Sequence, residues 1–262
     1  MVDVWEPVRT PPAPLPCPPG ERTGPPDFVG IGVQRCGTTR WFDLIASHAD
    51  VVTPPGVRKE LHFFDRFHAR DPVPRAEDYH AYFPRPAGRL TGEWTPTYLT
   101  DVHTPRLLAA AAPEARLLVL LRDPIERYRS AIRRQERLAG RAGLPLHSLA
   151  PNDAFARGLY HAQLTRLLRH VDRTRVLLLQ YERCVAEPRA ELERTLAFLG
   201  LSAAGSSPAI EQWPNRQPGK PDLDDSLTGE LVEAYRADVQ ALAAGWPEID
   251  LTLWPHFAHL AP

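Results

Sequence analysis

Three groups of residues in this chain combine types and spacing that could do chemistry. Arg35-Cys36-Gly37-Thr38-Thr39 sets a cation and two hydroxyls around a glycine. Glu60 and His62, in KELHFFD, place a carboxylate and an imidazole two positions apart. Arg122 is followed eight residues later by Ser130. The first and third groups suit anions. Backbone N–H groups of a glycine turn, a guanidinium fork and hydroxyl donors all match phosphate oxygens. The second suits proton transfer, since either Glu60 or His62 can take a proton from a hydroxyl or an amine. Glu93, in GEW, is a third carboxylate, read as bonding turn amides beneath the site.

Each group needs an element to hold it. Phe28, Val29, Ile31 and Val33 form an apolar run punctuated by Gly30 and Gly32, and Trp41, Phe42, Leu44 and Ile45 recur with helical spacing after the glycine turn. Strand, tight turn and helix N-terminus therefore point amides and the positive end of a helix dipole at one spot. Leu117–Leu121 and Val176–Leu179 are continuous apolar runs, the mark of strands buried on both faces. Arg122 ends the first of them. Asp123 then caps a helix with Pro124 at its first position, and that helix carries Tyr128, Ser130 and Ile132.

The alternation in Lys59–Asp65 predicts a strand with Leu61 and Phe63 on one face and Glu60, His62 and Phe64 on the other. Residues 66–90 read as a surface excursion, and GEWTPTY as a turn with a carboxylate. Helices are predicted over about 153–170, from Pro188 to a stop at Gly200, and from about Ser226 to Ala243, with a tail packing back. A loop at 202–225 holds Asn215, Arg216 and Lys220. Strands alternating with helices give an α/β fold, a doubly wound parallel sheet flanked by helices, with ligands at the strand carboxyl ends.

Size and composition set limits. The 262 residues suit a single domain, taken as 27–262, preceded by a Pro-rich arm. Nine prolines in residues 1–26 make that arm extended, either mobile or laid across the domain. Net charge is −1, so no global charge favours nucleic acid or a membrane surface, and local basic residues must carry any anion binding. Three scattered cysteines, Cys17, Cys36 and Cys184, support neither a disulfide framework nor a zinc site. With no long apolar stretch and no signal-peptide pattern, a soluble, cytoplasmic setting is expected.

Compared with the P-loop pattern GxxxxGK[ST], counted from Gly32, Gly37 and Thr39 coincide, but Thr38 stands where the phosphate lysine belongs and the cation moves to Arg35. This P-loop-like turn resembles instead the 5′-phosphosulfate loop of sulfotransferases. LLVLLRDPIERYRSAI resembles their 3′-phosphate element; KELHFFD and GEWTPTYL are similar to segments of the bacterial and heparan-type branch, and RGLYHAQL, VLLLQYERCVAEP and FLGL to later landmarks. The resemblance covers roughly residues 27–201.

It implies a sulfotransferase that moves a sulfuryl group from 3′-phosphoadenosine-5′-phosphosulfate (PAPS) to a small hydroxylated or amine-bearing acceptor, leaving adenosine 3′,5′-bisphosphate, without a metal. Carried over residue by residue, it puts Cys36, Gly37, Thr38 and Thr39 on the 5′-phosphate and Arg35 at the bridging oxygen. Arg122 and Ser130 go to the 3′-phosphate, Lys220 to a phosphate contact from a closing loop, and Glu60, with His62 as alternative, to the base. Two departures stand out. Arg35 replaces a lysine, and Trp94 replaces another, which suggests an aromatic wall for an apolar acceptor. The competing readings are a P-loop nucleotide kinase, which would need lysine at position 38, and a non-catalytic nucleotide-binding protein of the same fold.

Overall fold

A computed structural model of the protein describes residues 11–57, 59–67, 73–143, 145–146, 149–203 and 223–261. Five strands form one sheet among these residues: β1 (Phe28–Gly32), β2 (Val51–Val52), β3 (Leu90–Trp94), β4 (Arg116–Leu121) and β5 (Val176–Gln180). Their order is β2-β3-β1-β4-β5, and every pairing is parallel. β1, β4 and β5 are buried along nearly their whole length, which explains their unbroken apolar composition.

The chain leaves β1 for β2 at the edge, returns through β3 beside β1, and then crosses to β4 on the other side. The ends of β1 and β4 therefore meet at the switch point of the sheet, where such folds bind ligands.

Helix α1 (Thr38–Ala46) buries Trp41, Phe42, Leu44 and Ile45, and Trp41 Nε1 donates to Thr195 Oγ1 at 3.1 Å. Helix α4 (Pro124–Arg141) follows β4, with Asp123 accepting from the Ile125 and Glu126 amides as its N-cap. Helices α2 (Ala76–His80) and α3 (Thr104–Ala111) lie between those two. The helix expected over 153–170 is two, α5 (Ala150–Ala156) and α6 (Tyr160–Leu167), broken around Gly158. A Cβ at Gly158 would fall 2.6 Å from the Tyr235 hydroxyl, so close packing there leaves room only for glycine. Next come α7 (Tyr181–Ala186), α8 (Pro188–Leu199), closed by Gly200 at φ 74°, and α9 (Asp225–Gly245).

Three local expectations are corrected. GEW is not a turn but the end of β3, which pairs with β1 through Phe28↔Gly92 and Gly30↔Trp94. Residues 59–65 form no strand. His62 takes a left-handed backbone, φ 53°, which breaks the alternation, and Phe64 is fully buried rather than sharing a face with Glu60 and His62. The stretch from 66 to 90 is no mere excursion, because Tyr79 is fully buried against Phe63 and Phe64, and Phe83 is fully buried against Tyr79. Aromatic packing here outweighs the local Pro, His and Arg content.

Of the N-terminal arm, the described part lies on the domain. The Pro12 carbonyl accepts from Tyr82 Oη, and Arg22 bridges Arg85 through backbone hydrogen bonds. The tail also packs back, with Trp254 and Phe257 fully buried.

Candidate functional site

The turn after β1 is built by backbone conformation. Gly37 caps α1 at φ 89° with no side-chain cap, which leaves the first amides of the helix without an intrahelical partner. Arg35, at φ 73°, and His62 are the two described non-glycine residues in left-handed backbone. Holding a non-glycine residue there costs on the order of 1 kcal/mol or more, and such outliers gather at functional sites. Close approach accounts for the glycines in β1: a Cβ at Gly30 would stand 2.0 Å from the Trp94 ring.

Arg35 turns toward α4, where its Nε donates to Ser130 Oγ at 3.0 Å. Burial, with Arg134 and Arg137 adding positive charge, lowers its pKa from the usual guanidinium value. Arg122 donates to the Arg35 carbonyl at 3.4 Å, pairs with Glu126 at 3.2 Å and lies over the Tyr181 ring at 4.7 Å. Its Nε is buried without a hydrogen-bond partner among the described residues. Arg35, Arg122 and Ser130 thus converge on one spot between the ends of β1 and β4.

Cys36 faces the other way. Its thiol is fully buried against the Tyr160 hydroxyl at 4.0 Å, and burial pushes its pKa up to about 12. Its N–H donates to Val33, so the residue anchors the turn from beneath. Tyr160 is likewise core, donating to the Arg122 carbonyl at 2.9 Å.

The acid–base group lies against the same turn. Lys59 Nζ donates to Thr38 Oγ1 at 3.1 Å and Thr39 Oγ1 at 3.2 Å, and pairs with Glu60 Oε1 at 2.8 Å. Glu60 reaches His62 Nε2 at 3.2 Å, and His62 Nδ1 lies 2.7 Å from Asp65 Oδ2. Hydrogen bonds and charge from the two carboxylates outweigh desolvation and raise His62 to about 9. Burial acts to raise the Glu60 pKa, but hydrogen bonds from His62 and Lys59 prevail and hold it at about 2.

Beneath lies Glu93, fully buried. It accepts from Leu61 N, Thr95 Oγ1, Tyr79 Oη and Tyr98 Oη. Thr95 takes the Leu61 and His62 amides, Tyr98 the Phe63 amide, and the Trp94 N–H donates to the Lys59 carbonyl. These bonds fix the irregular segment carrying Glu60 and His62 to the end of β3. Desolvation raises the Glu93 pKa to about 7 despite the donors.

The expected place of Trp94 is overturned. Its ring is wholly buried under β1, and Nε1 donates to the Gly32 carbonyl, so it walls no acceptor site. Lys220, Arg216 and Asn215 lie outside the described residues. The contacts of Lys59 with the loop hydroxyls and the part of Asp65 were not read from the sequence. The signal for Lys59 was a threonine-rich anion loop lacking its own lysine.

Known proteins resemble this chain in sequence and in fold. The profile described as the sulfotransferase family matches residues 80–204. Heparan sulfate glucosamine 3-O-sulfotransferase 6 of Mus musculus is 32% identical over 206 residues, 74% of this chain and 57% of the mouse protein. Its Homo sapiens counterpart is 32% identical over 200 residues, 72% of this chain and 56% of its own length. The chain therefore spans less than two thirds of these relatives. The crystal structure of a sulfotransferase from Alicyclobacillus acidocaldarius aligns with a TM-score of 0.65 at 24% identity, covering 88% of this chain and 99% of that one, a likeness of fold. No helix among the described residues is long and apolar enough to cross a membrane.

Proposed function

The chain belongs to the sulfotransferase family, and from that premise we propose that it transfers a sulfuryl group from PAPS to a hydroxyl or amine of a small-molecule acceptor. One observation carries the reading. The acid–base group and the anion turn are joined, since Glu60 is tied through Lys59 to Thr38 and Thr39 at the start of α1.

The residues fit the nucleotide. Uncapped amides at Gly37–Thr39 and the threonine hydroxyls suit the 5′-phosphate. The unpartnered Arg122 Nε, with Arg35 and Ser130, suits the 3′-phosphate. Lys220, which lies outside the described residues, remains a proposed phosphate contact. When bound, PAPS supplies the sulfuryl group and a phosphate leaving group.

Glu60 is the proposed base. His62, placed between two carboxylates, holds protons on both ring nitrogens at neutral pH and has no free lone pair. A low pKa does not disqualify Glu60. As the acceptor oxygen bonds to sulfur its proton becomes strongly acidic, so a weak carboxylate base suffices. His62 and Asp65 hold the carboxylate in place. The free thiols of Cys17, Cys36 and Cys184 suit a reducing, cytoplasmic compartment, which is part of the same proposal.

Incubation with ³⁵S-labelled PAPS tests this. Because Trp94 is buried, the acceptor panel spans polar and apolar alcohols and amines together with a heparan-like polymer. Label on a small acceptor supports the proposal, and label on the polymer alone corrects the acceptor class. No transfer with any acceptor, or phosphoryl transfer from ATP–Mg²⁺ instead, overturns it.

A further inference from the structure

The cation on the loop hydroxyls does not come from the loop. Arg35, the one basic residue within Gln34–Thr39, has its guanidinium on Ser130 of α4. The ammonium donating to Thr38 and Thr39 belongs to Lys59, twenty residues further along the chain from Thr39. Its three protons meet three acceptors, the two hydroxyls and Glu60. The Lys59 side chain is only 6% exposed, while Glu60, its one carboxylate partner by contact, is 30% exposed. Even so, desolvation outweighs the nearby carboxylates and lowers the Lys59 pKa, a cost that an arriving anion would offset. The two threonine hydroxyls it touches are the ones proposed above for the 5′-phosphate.

Resting on the sulfotransferase reading above, we propose that Lys59, rather than Arg35, is the cation of the 5′-phosphate cradle, and that Arg35 serves the 3′-phosphate with Ser130 and Arg122. The assignment also makes sense of the Lys59–Glu60 pair. In the transfer, the acceptor oxygen bonds to sulfur while the bond from sulfur to the bridging phosphate oxygen breaks. The electron pair of that bond stays on the 5′-phosphate, and the acceptor proton passes to Glu60. Negative charge thus leaves one neighbour of Lys59 as it grows on the other. The ammonium keeps an anionic partner throughout and favours the state in which the phosphate has gained charge.

Titration calorimetry with three nucleotides separates the two cations. Adenosine 3′,5′-bisphosphate, adenosine 5′-monophosphate and adenosine 3′-monophosphate are each titrated into the wild type, Lys59→Met, Lys59→Arg and Arg35→Met. Lys59→Met is expected to weaken the bisphosphate and the 5′-monophosphate by a common factor of roughly 10–100, the range for a charged hydrogen bond, and to spare the 3′-monophosphate. Arg35→Met is expected to do the converse, and Lys59→Arg to restore part of the 5′ affinity. Thermal melts report folding. If Lys59→Met does not fold, Lys59→Gln replaces it with the same expected loss.

Wild-type affinity of Lys59→Met for the 5′-monophosphate, or loss of that affinity in Arg35→Met, overturns the assignment and leaves the sulfotransferase reading standing. A wild type that binds none of the three nucleotides defeats that reading, and this inference with it.

Discussion

At the scale of single residues, Glu60 and His62 hold opposite charges in one hydrogen-bonded row running from Lys59 to Asp65. Glu60→Gln keeps the shape and removes the base. Turnover is expected to fall roughly 10²–10⁴-fold, the usual share of a positioned base, while adenosine 3′,5′-bisphosphate still binds within a few-fold of wild type. Calorimetry beside a steady-state assay reads both.

The pH dependence of stability has a definite sign. The His62 pKa of about 9 in the fold lies above its ordinary 6.5. Its contribution is therefore complete below pH 6.5 and is lost as pH rises through 9. Glu60, at about 2, stays ionised throughout that window. Urea unfolding at intervals from pH 6.5 to 9 should show wild-type stability falling across that range, and His62→Gln should flatten the fall. An equal slope in the two proteins would count against the charged row.

The next scale is that of elements, where the site rests on the end of β3. Glu93 lies at the centre of four donors, two of them tyrosine hydroxyls and one the Leu61 amide. Glu93→Gln turns one acceptor into a donor facing donors at a fully buried position. A loss of about 1–3 kcal/mol is expected in urea unfolding, the usual cost of a buried unsatisfied polar group. The segment carrying Glu60 should loosen with it, read as faster amide exchange at Leu61 and His62.

This scale is also where sequence reading reached its limit. β1, β4, β5, the Asp123–Pro124 start of α4 and the Gly200 stop of α8 were legible, because apolar runs, caps and punctuating glycines act locally. The segment from 59 to 65 was not. Its alternation mimics a strand, while its conformation is set by side chains of β3 and the residues just after it, more than 30 positions away. Trp94 was misplaced for the same reason. Its burial depends on Gly30 of a neighbouring strand, a pairing that no local pattern encodes.

Across the whole molecule, a chain of net charge −1 concentrates cations at one end of its sheet. Arg35, Arg122 and Lys59 come from separate segments, and Arg134 and Arg137 on α4 add to the field at Arg35. The tail closes this arrangement from behind. The Asp123 carboxylate, besides capping α4, meets His256 Nδ1 at 3.0 Å, and Glu182 joins the Asp123 amide to the Trp254 indole. Residues that could bind phosphate were legible as types. Which cation serves which end was not, because that depends on where a buried lysine and a strained arginine point.

A crystal structure with adenosine 3′,5′-bisphosphate would show where the two phosphates sit. The 5′-phosphate is expected on the Gly37–Thr39 turn beside Glu60, and the 3′-phosphate among Arg35, Arg122 and Ser130. A nucleotide bound elsewhere, or one whose 5′-phosphate lies remote from Glu60, would contradict that placement.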